Sequence, residues 1–289
     1  MKSKSRNNLW LLAAFAAPAA HFSGGGWLAA ALTALAVLPL TLLPRRWVGM
    51  AKPVALAEAV WLGIVAGSLL TNSAAYWPSD NDLAVPLTIL TLAALTNAAA
   101  APGTGAVVAF CMGLLALPAA VAGVSGLEFR WLRPAMPVWS GGLALAMLLP
   151  ALPCSASERK GRGLLTAGVL AVLLSALVQG VVAPEVAIRL PDPFYQTART
   201  LGHLEPVVAA GMTLGWYALT TLLLKSGSSI AENAGFRRRM ASVLPVGTAT
   251  ASVLFLQQPN AWFVTITSAF FWVLIPFLHK MKLFQKSEK

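Results

Sequence analysis

The chain has 289 residues, 57% of them hydrophobic and 11% charged, with a formal net charge of +11 at pH 7. Soluble domains carry about 25% charged residues, so this composition and a mean hydropathy of +0.72 set aside an ordinary soluble enzyme or binding domain. Such a surplus of basic residues would suggest nucleic acid in a soluble protein, but here it falls in short loops between apolar runs, where it meets anionic lipid headgroups.

Ten apolar stretches follow one another, at 9–22, 27–43, 54–71, 83–101, 104–124, 138–153, 164–183, 206–224, 241–257 and 261–278. About 20 apolar residues cross a hydrocarbon core, and the second and sixth stretches offer fewer. Span one follows Lys2, Lys4 and Arg6, contains Pro18 and Ala19, and runs out through His21 into Gly24, Gly25 and Gly26. As one of ten similar stretches it is expected to stay as an anchor rather than be removed as a leader. A histidine there suits proton sensing, with an unperturbed pKa near ~6.5; its ordinary reading is a hydrogen-bonded bystander.

Span three follows Lys52 and Pro53 and holds Glu58, the one carboxylate inside a predicted span. Ionisable groups in a bilayer are costly and often mark ion or substrate paths. Lying one turn past the cytoplasmic edge, Glu58 is instead expected to reach headgroups or pair with Lys52. Span four ends in Thr96-Asn97-Ala98-Ala99-Ala100, which reads as tight helix packing through small residues. Asn97 and Gln179, uncharged and inside spans, are placed to hydrogen-bond across helices. Cys111 and Cys154 lie mid-span and at a span end, and imply neither a disulfide framework nor a metal site.

With the N-terminus in the cytoplasm, the loops alternate so that Lys2, Lys4, Arg6, Arg45, Arg46, Lys52, Arg159, Lys160, Arg162, Lys225, Arg237, Arg238, Arg239, Lys280, Lys282, Lys286 and Lys289 fall inside. Only Arg130, Arg133, Arg189 and Arg199 fall outside, a split of 17 to 4 among the 21. Cytoplasmic loops of membrane proteins are enriched in this way, and a wrong span count would scramble the alternation. Trp27, Trp47, Trp77, Trp131, Trp139 and Trp262 lie at or near span ends, as interfacial aromatics do. The expected fold is an all-α polytopic membrane protein of about ten transmembrane helices forming one domain over residues 1–289, with both termini inside.

Ten spans divide into halves of five, 9–124 and 131–278, and because five is odd the second half enters from the opposite face. That is the inverted-repeat plan of LeuT-like transporters, with a midplane site between discontinuous helices. The first spans of the two halves both combine proline with clustered glycine: Pro18-Ala19-Ala20-His21-Phe22-Ser23-Gly24-Gly25-Gly26, and Pro134-Ala135-Met136-Pro137-Val138-Trp139-Ser140-Gly141-Gly142. Proline removes an amide donor and glycine tolerates unusual backbone angles. A helix broken at membrane depth needs protein, water or a ligand to satisfy its exposed amides and carbonyls. This makes Pro18, Ala19, His21, Ser140, Gly141 and Gly142 the candidate ligand-binding residues; the simpler alternative is a kink followed by a loop. No arrangement points to catalysis: there is no metal-ligand cluster, no phosphate loop, and no nucleophile with a base at matched depth. No cofactor is implied.

One block carries a family resemblance. Pro193-Phe194-Tyr195-Gln196-Thr197-Ala198-Arg199-Thr200-Leu201-Gly202-His203-Leu204-Glu205 leads into a span containing Gly215-Trp216-Tyr217. It resembles the external segment and eighth span in the B subunit of endospore germinant receptors, permease-like proteins of the amino acid–polyamine–organocation superfamily. His203 stands where that family has arginine, and Glu205 where it has glutamate. Weaker matches are Trp27 entering span two, Tyr76-Trp77-Pro78 after span three, Arg133-Pro134 before span six, and the closing span with Pro276 and a basic tail. The chain is short for the family between Pro134 and Pro150, and Ala101 to Gly105 lacks the charged residues usual there. The resemblance implies a ten-span permease-like fold, an A-type and a C-type receptor subunit as partners, and residence in the inner membrane of a bacterial spore. It further implies sensing of a small nutrient such as an amino acid, with Tyr195, Arg199 and Glu205 shaping an external gate. An ion-coupled amino acid transporter of the same fold, and a pocketless subunit that stabilises its partners, stay open beside it.

Overall fold

The computed structural model describes residues 26–37, 52–71, 73–74, 77, 81–99, 121, 127–133, 162–187, 189–190, 193–200, 204–255, 266–267 and 270–274. Every regular element among them is helical. These are α1 (Gly26–Val37), α2 (Lys52–Thr71), α3 (Ala84–Ala98), a 3-10 turn at Phe129–Leu132, α4 (Arg162–Val181), α5 (Pro184–Ala187), α6 (Pro193–Thr200), α7 (Glu205–Asn233), α8 (Arg238–Phe255) and a π-helical turn at Phe270–Leu274. Two of them, α2 and α7, are long and apolar enough to cross a membrane. The six longer helices coincide with predicted spans two, three, four, seven, eight and nine. Predicted spans one, five and six lie outside the described residues.

Local chemistry sets several helix starts. Proline, which has no amide hydrogen to lose, is favoured in the first helical turn, and Pro53, Pro86, Pro184, Pro193 and Pro206 all occupy first turns. The end of α7 is equally specific. Gly235 takes φ +92°, the Phe236 amide donates to the Ala231 carbonyl at 3.1 Å, and the Gly235 amide donates to the Glu232 carbonyl at 2.9 Å. Glycine accepts that left-handed backbone without a Cβ clash and lets the turn satisfy the last carbonyls.

Where the sequence predicts a span ending at 224, α7 runs nine residues further, through Lys225-Ser226-Gly227-Ser228-Ser229-Ile230-Ala231-Glu232-Asn233. The polar residues there hide a packed face: Gly227, Ser228 and Ala231 are buried. At 1.5 Å per residue the 29 residues of α7 measure roughly 43 Å, more than the ~30 Å hydrocarbon core requires.

The helices pack in a defined set of pairs. α1 lies on α4; α2, α3, α7 and α8 form a second group in which α2 contacts α7 and α8, and α3 contacts α2, α7 and α8. α6 touches both α4 and α7, joining the groups. The main core gathers Trp61, Leu62, Leu70, Met212, Leu219 and Leu223 with residues of α3, α4 and α8. Directions follow from residue pairs. Gly26 meets Gln179 while Ala30 packs with Val172, so α1 and α4 are antiparallel. Ala59 meets Gly227 while Trp77, just past α2, bonds Thr213, so α2 and α7 are antiparallel as well. Gly63 meets Pro245 and Gly67 meets Ala249, so α2 and α8 run parallel.

The basic residues sort by end. A Cβ on Gly235 would lie 3.8 Å from the Lys52 ammonium, which brings Lys52 to the turn that carries Arg237, Arg238 and Arg239. Arg162 opens α4 at this end, and Lys225 lies on the half of α7 nearest to it. Arg130, Arg133, Arg189 and Arg199 all lie toward the other end, beside the C-terminus of α4 and the N-terminus of α7.

Candidate functional site

Two places combine buried polar groups with close backbone approach. The first is a node built on Gln179, near the C-terminal end of α4 and 1% exposed. Its Nε2 donates to the carbonyls of Trp131 and Arg133, both at 2.8 Å, and its Oε1 accepts the Trp27 amide at 3.3 Å. The Trp27 indole donates to the Leu132 carbonyl at 2.7 Å, and the Glu128 amide donates to the Gly180 carbonyl at 3.0 Å. A carboxamide suits this position because it donates twice and accepts on one short side chain. Gly26 closes the node from the other side. It holds φ +56°, and a Cβ there would collide with the Gln179 Oε1 and lie 2.8 Å from its Cδ, so glycine is required both by backbone angle and by space.

The node has a consequence for the predicted pocket. Gly26 and Trp27 directly follow the segment containing Pro18, Ala19 and His21, and Arg133 directly precedes the one containing Ser140, Gly141 and Gly142. Those six residues lie outside the described ones. Their flanking residues meet at Gln179.

Beside the node sits the segment that the resemblance singles out. Tyr195 and Arg199 lie on α6, and Glu205 is the first residue of α7. The Leu204 amide donates to the Ala198 carbonyl at 3.1 Å, folding α6 back on α7. The Arg199 Nε lies 3.8 Å from a Glu205 carboxylate oxygen, with 67% and 18% of the two side chains exposed. Tyr195 is half-buried against the core. The structure thus brings Tyr195, Arg199 and Glu205, the residues expected to shape a gate, to one end of α7; His203, between them in sequence, lies outside the described residues. Further along α7, Tyr217 and Thr96 share a hydroxyl hydrogen bond of 2.6 Å, and the Asn97 amide donates to Ser228 at 3.3 Å. Asn97 and Gln179 therefore both bond across helices, as their positions in spans suggest.

The second place is the junction of α2, α7 and α8. Here Gly63 and Gly67 let the backbones of α2 and α8 nearly touch: a Cβ on Gly63 would lie 2.5 Å from the Pro245 carbonyl oxygen, and one on Gly67 would strike the Ala249 carbonyl oxygen. The Ser68 and Ser252 hydroxyls bond each other at 3.0 Å, and Ser252 donates to the Ile64 carbonyl at 3.0 Å. Small residues and hydroxyl bonds are what hold helices together where lipid removes the hydrophobic drive. Pro245 lies inside α8, and lacking an amide hydrogen it leaves the Ala241 carbonyl without its helical donor. Ala241 packs with Ala59 and Ala231 in a small cluster at this level.

Glu58, the neighbour of Ala59, is 1% exposed, and its Oε1 has no hydrogen-bond partner. This corrects the sequence expectation. Lys52 is exposed and its ammonium lies beside Gly235, so Glu58 neither pairs with it nor reaches out to headgroups. Position alone misled, since a residue near a helix end is buried when a neighbouring helix runs alongside as far as that end. α7 does so here, its end reaching the level of Lys52, and its length was hidden by its polar last turns. Among the described residues no group of three His, Cys, Asp or Glu is placed to hold a metal ion. No protein-family model and no curated protein matches the chain.

Proposed function

We propose that this chain is a ten-span permease-like membrane protein made of two inverted five-helix halves, and that it senses a small nutrient, an amino acid or a similar solute. In this reading it is the membrane-embedded subunit of a germinant-receptor-type complex, beside A-type and C-type partners, in the inner membrane of a bacterial spore.

The packing supports the architecture. Exchanging each span with the one five later maps α1 onto α4, α2 onto α7, and α3 onto α8. Under that exchange the pairs α1/α4, α2/α7 and α3/α8 map onto themselves, α2/α8 maps onto α3/α7, and α2/α3 maps onto α7/α8. All of these contacts occur, and α1/α4 and α2/α7 are antiparallel, as an inverted repeat demands. Because α2, α3, α7 and α8 all touch one another, this packing is compatible with the exchange without singling it out.

The observation that carries the pocket is the Gln179 node. It joins the residues after interrupted span one to those before interrupted span six, the arrangement needed for Pro18, Ala19, His21, Ser140, Gly141 and Gly142 to line one cavity. Nutrient binding there shifts the complex only if it is tighter in one conformation than in the other. Tyr195, Arg199 and Glu205 form the external gate at the same end.

The deciding experiment pairs two measurements on the full-length protein. Co-purification with A-type and C-type subunits, together with a nutrient response abolished by Ser140→Trp or Gly141→Trp while the complex persists, supports sensing. An unchanged response in those variants overturns the pocket. A second reading, ion-coupled transport, is favoured by the buried Glu58 carboxyl. Uptake of labelled amino acids into liposomes holding only this chain would establish it.

A further inference from the structure

The Glu58 carboxyl stands apart from both the gate and the predicted pocket. It lies six residues into α2, about 9 Å from the helix start at 1.5 Å per residue, at the level where Ala59 meets Gly227 and packs with Ala231 and Ala241. Among the described residues no cation shares that interior. On α2 itself Lys52 is exposed beside Gly235; on α7 Lys225 and Glu232 are exposed; Arg237, in the turn, and Arg238 and Arg239 on α8 are exposed, with Arg238 3.9 Å from Glu232. α3 has no ionisable residue between Ala84 and Ala98. An isolated buried carboxylate costs several kcal/mol or more, and a hydrogen-bond network that would offset this is missing at its Oε1. The site therefore demands a positive charge, and a proton needs no ligand cage.

We propose that Glu58 is a proton-binding site buried along α2, occupied while the helices pack as they do here and exchanging with water only when that packing opens. The reaction is a simple transfer: hydronium gives its proton to one carboxylate oxygen and leaves water, and opening reverses it. A proton lost on opening would leave a charge that resists reclosure, so occupancy and helix packing report on each other. This rests on α2 being a membrane-embedded helix, and on neither the nutrient nor the partner subunits.

The test is infrared spectroscopy of the full-length protein in vesicles of phosphatidylethanolamine and phosphatidylglycerol at neutral pH, comparing wild type with Glu58→Gln. The expected result is a protonated-carboxyl C=O band in the wild type that Glu58→Gln loses, with both proteins monodisperse and equally helical. Transfer to D2O should shift the band slowly, because the carboxyl meets solvent only when the packing opens. Absence of a Glu58-dependent band in folded protein overturns the proposal. So does a band that sodium or potassium titrates away, which would make a metal cation the occupant. If Glu58→Gln does not fold, Glu58→Asp serves: it should keep a carboxyl band at a shifted frequency. A Glu58-dependent band in a protein that binds no nutrient would leave this inference standing while overturning the sensing role.

Discussion

Replacing Gly63 with alanine tests the α2–α8 crossing directly. The new Cβ would stand 2.5 Å from the Pro245 carbonyl oxygen and 3.1 Å from the Pro245 Cα, and would overlap the Thr248 hydroxyl. Thr248 can rotate, whereas the backbone of α8 cannot yield without moving the helix. Overpacking of this kind costs about 1–3 kcal/mol, against which alanine returns at most about 1 kcal/mol of helix propensity. Gly247→Ala supplies the control, because nothing lies within 4 Å of a Cβ at that position of α8, and it gains the propensity term alone. The difference between the two variants is then the steric cost itself. Each kcal/mol shifts the midpoint by about 2–4 °C for a chain of this size, so Gly63→Ala should melt roughly 2–12 °C below Gly247→Ala. Tryptophan fluorescence of the protein in one detergent, heated at one rate, reads this. Equal melting of the two variants would show that α2 and α8 do not meet at Gly63.

Gln179→Leu should lower stability by about 1–3 kcal/mol, since two part-buried carbonyls lose their donor and the Trp27 amide its acceptor, and should make the chain at 127–133 cleavable by protease at lower enzyme concentration; unchanged protection would argue against the node. Gly26→Ala, which combines a left-handed φ with a clash on Gln179, should match it in direction. Arg199→Ala breaks an exposed pair and should change the melting midpoint by less than about 1 kcal/mol of stability, while altering the nutrient response if the external segment is a gate. Single cysteines at Arg237, Arg238 and Arg239 should react with a membrane-impermeant reagent only from the cytoplasmic face, and one at Arg199 only from the other. Labelling of the arginine triplet from outside would invert the topology.

The positions of the longer helices were legible in the sequence because a bilayer imposes one requirement on every span, a continuous apolar run whose backbone bonds to itself. The basic residues separate in the structure as well: Lys52 lies beside Gly235 at one end of α7, while Arg199 lies beside Glu205 at the other. Asn97 and Gln179 could be recognised as cross-helix bonders, since an amide within an apolar run needs a partner. Their partners could not, because Ser228, Trp131 and Arg133 are 131, 48 and 46 residues away.

Packing decided the remainder. The last nine residues of α7 look like a loop by composition, yet they stay helical because Gly227 and Ala231 pack beside Ala59, and only that three-dimensional neighbour makes their small side chains useful. Glu58 reads as an interfacial carboxylate from its distance to the span edge. It becomes a buried one, with no partner at its Oε1, once the helices pack around it. Apolar periodicity and loop charge are properties of a chain against its solvent, so the order of residues suffices to state them. Burial of one side chain is a property of helices far apart in sequence, and it exists only once they have met.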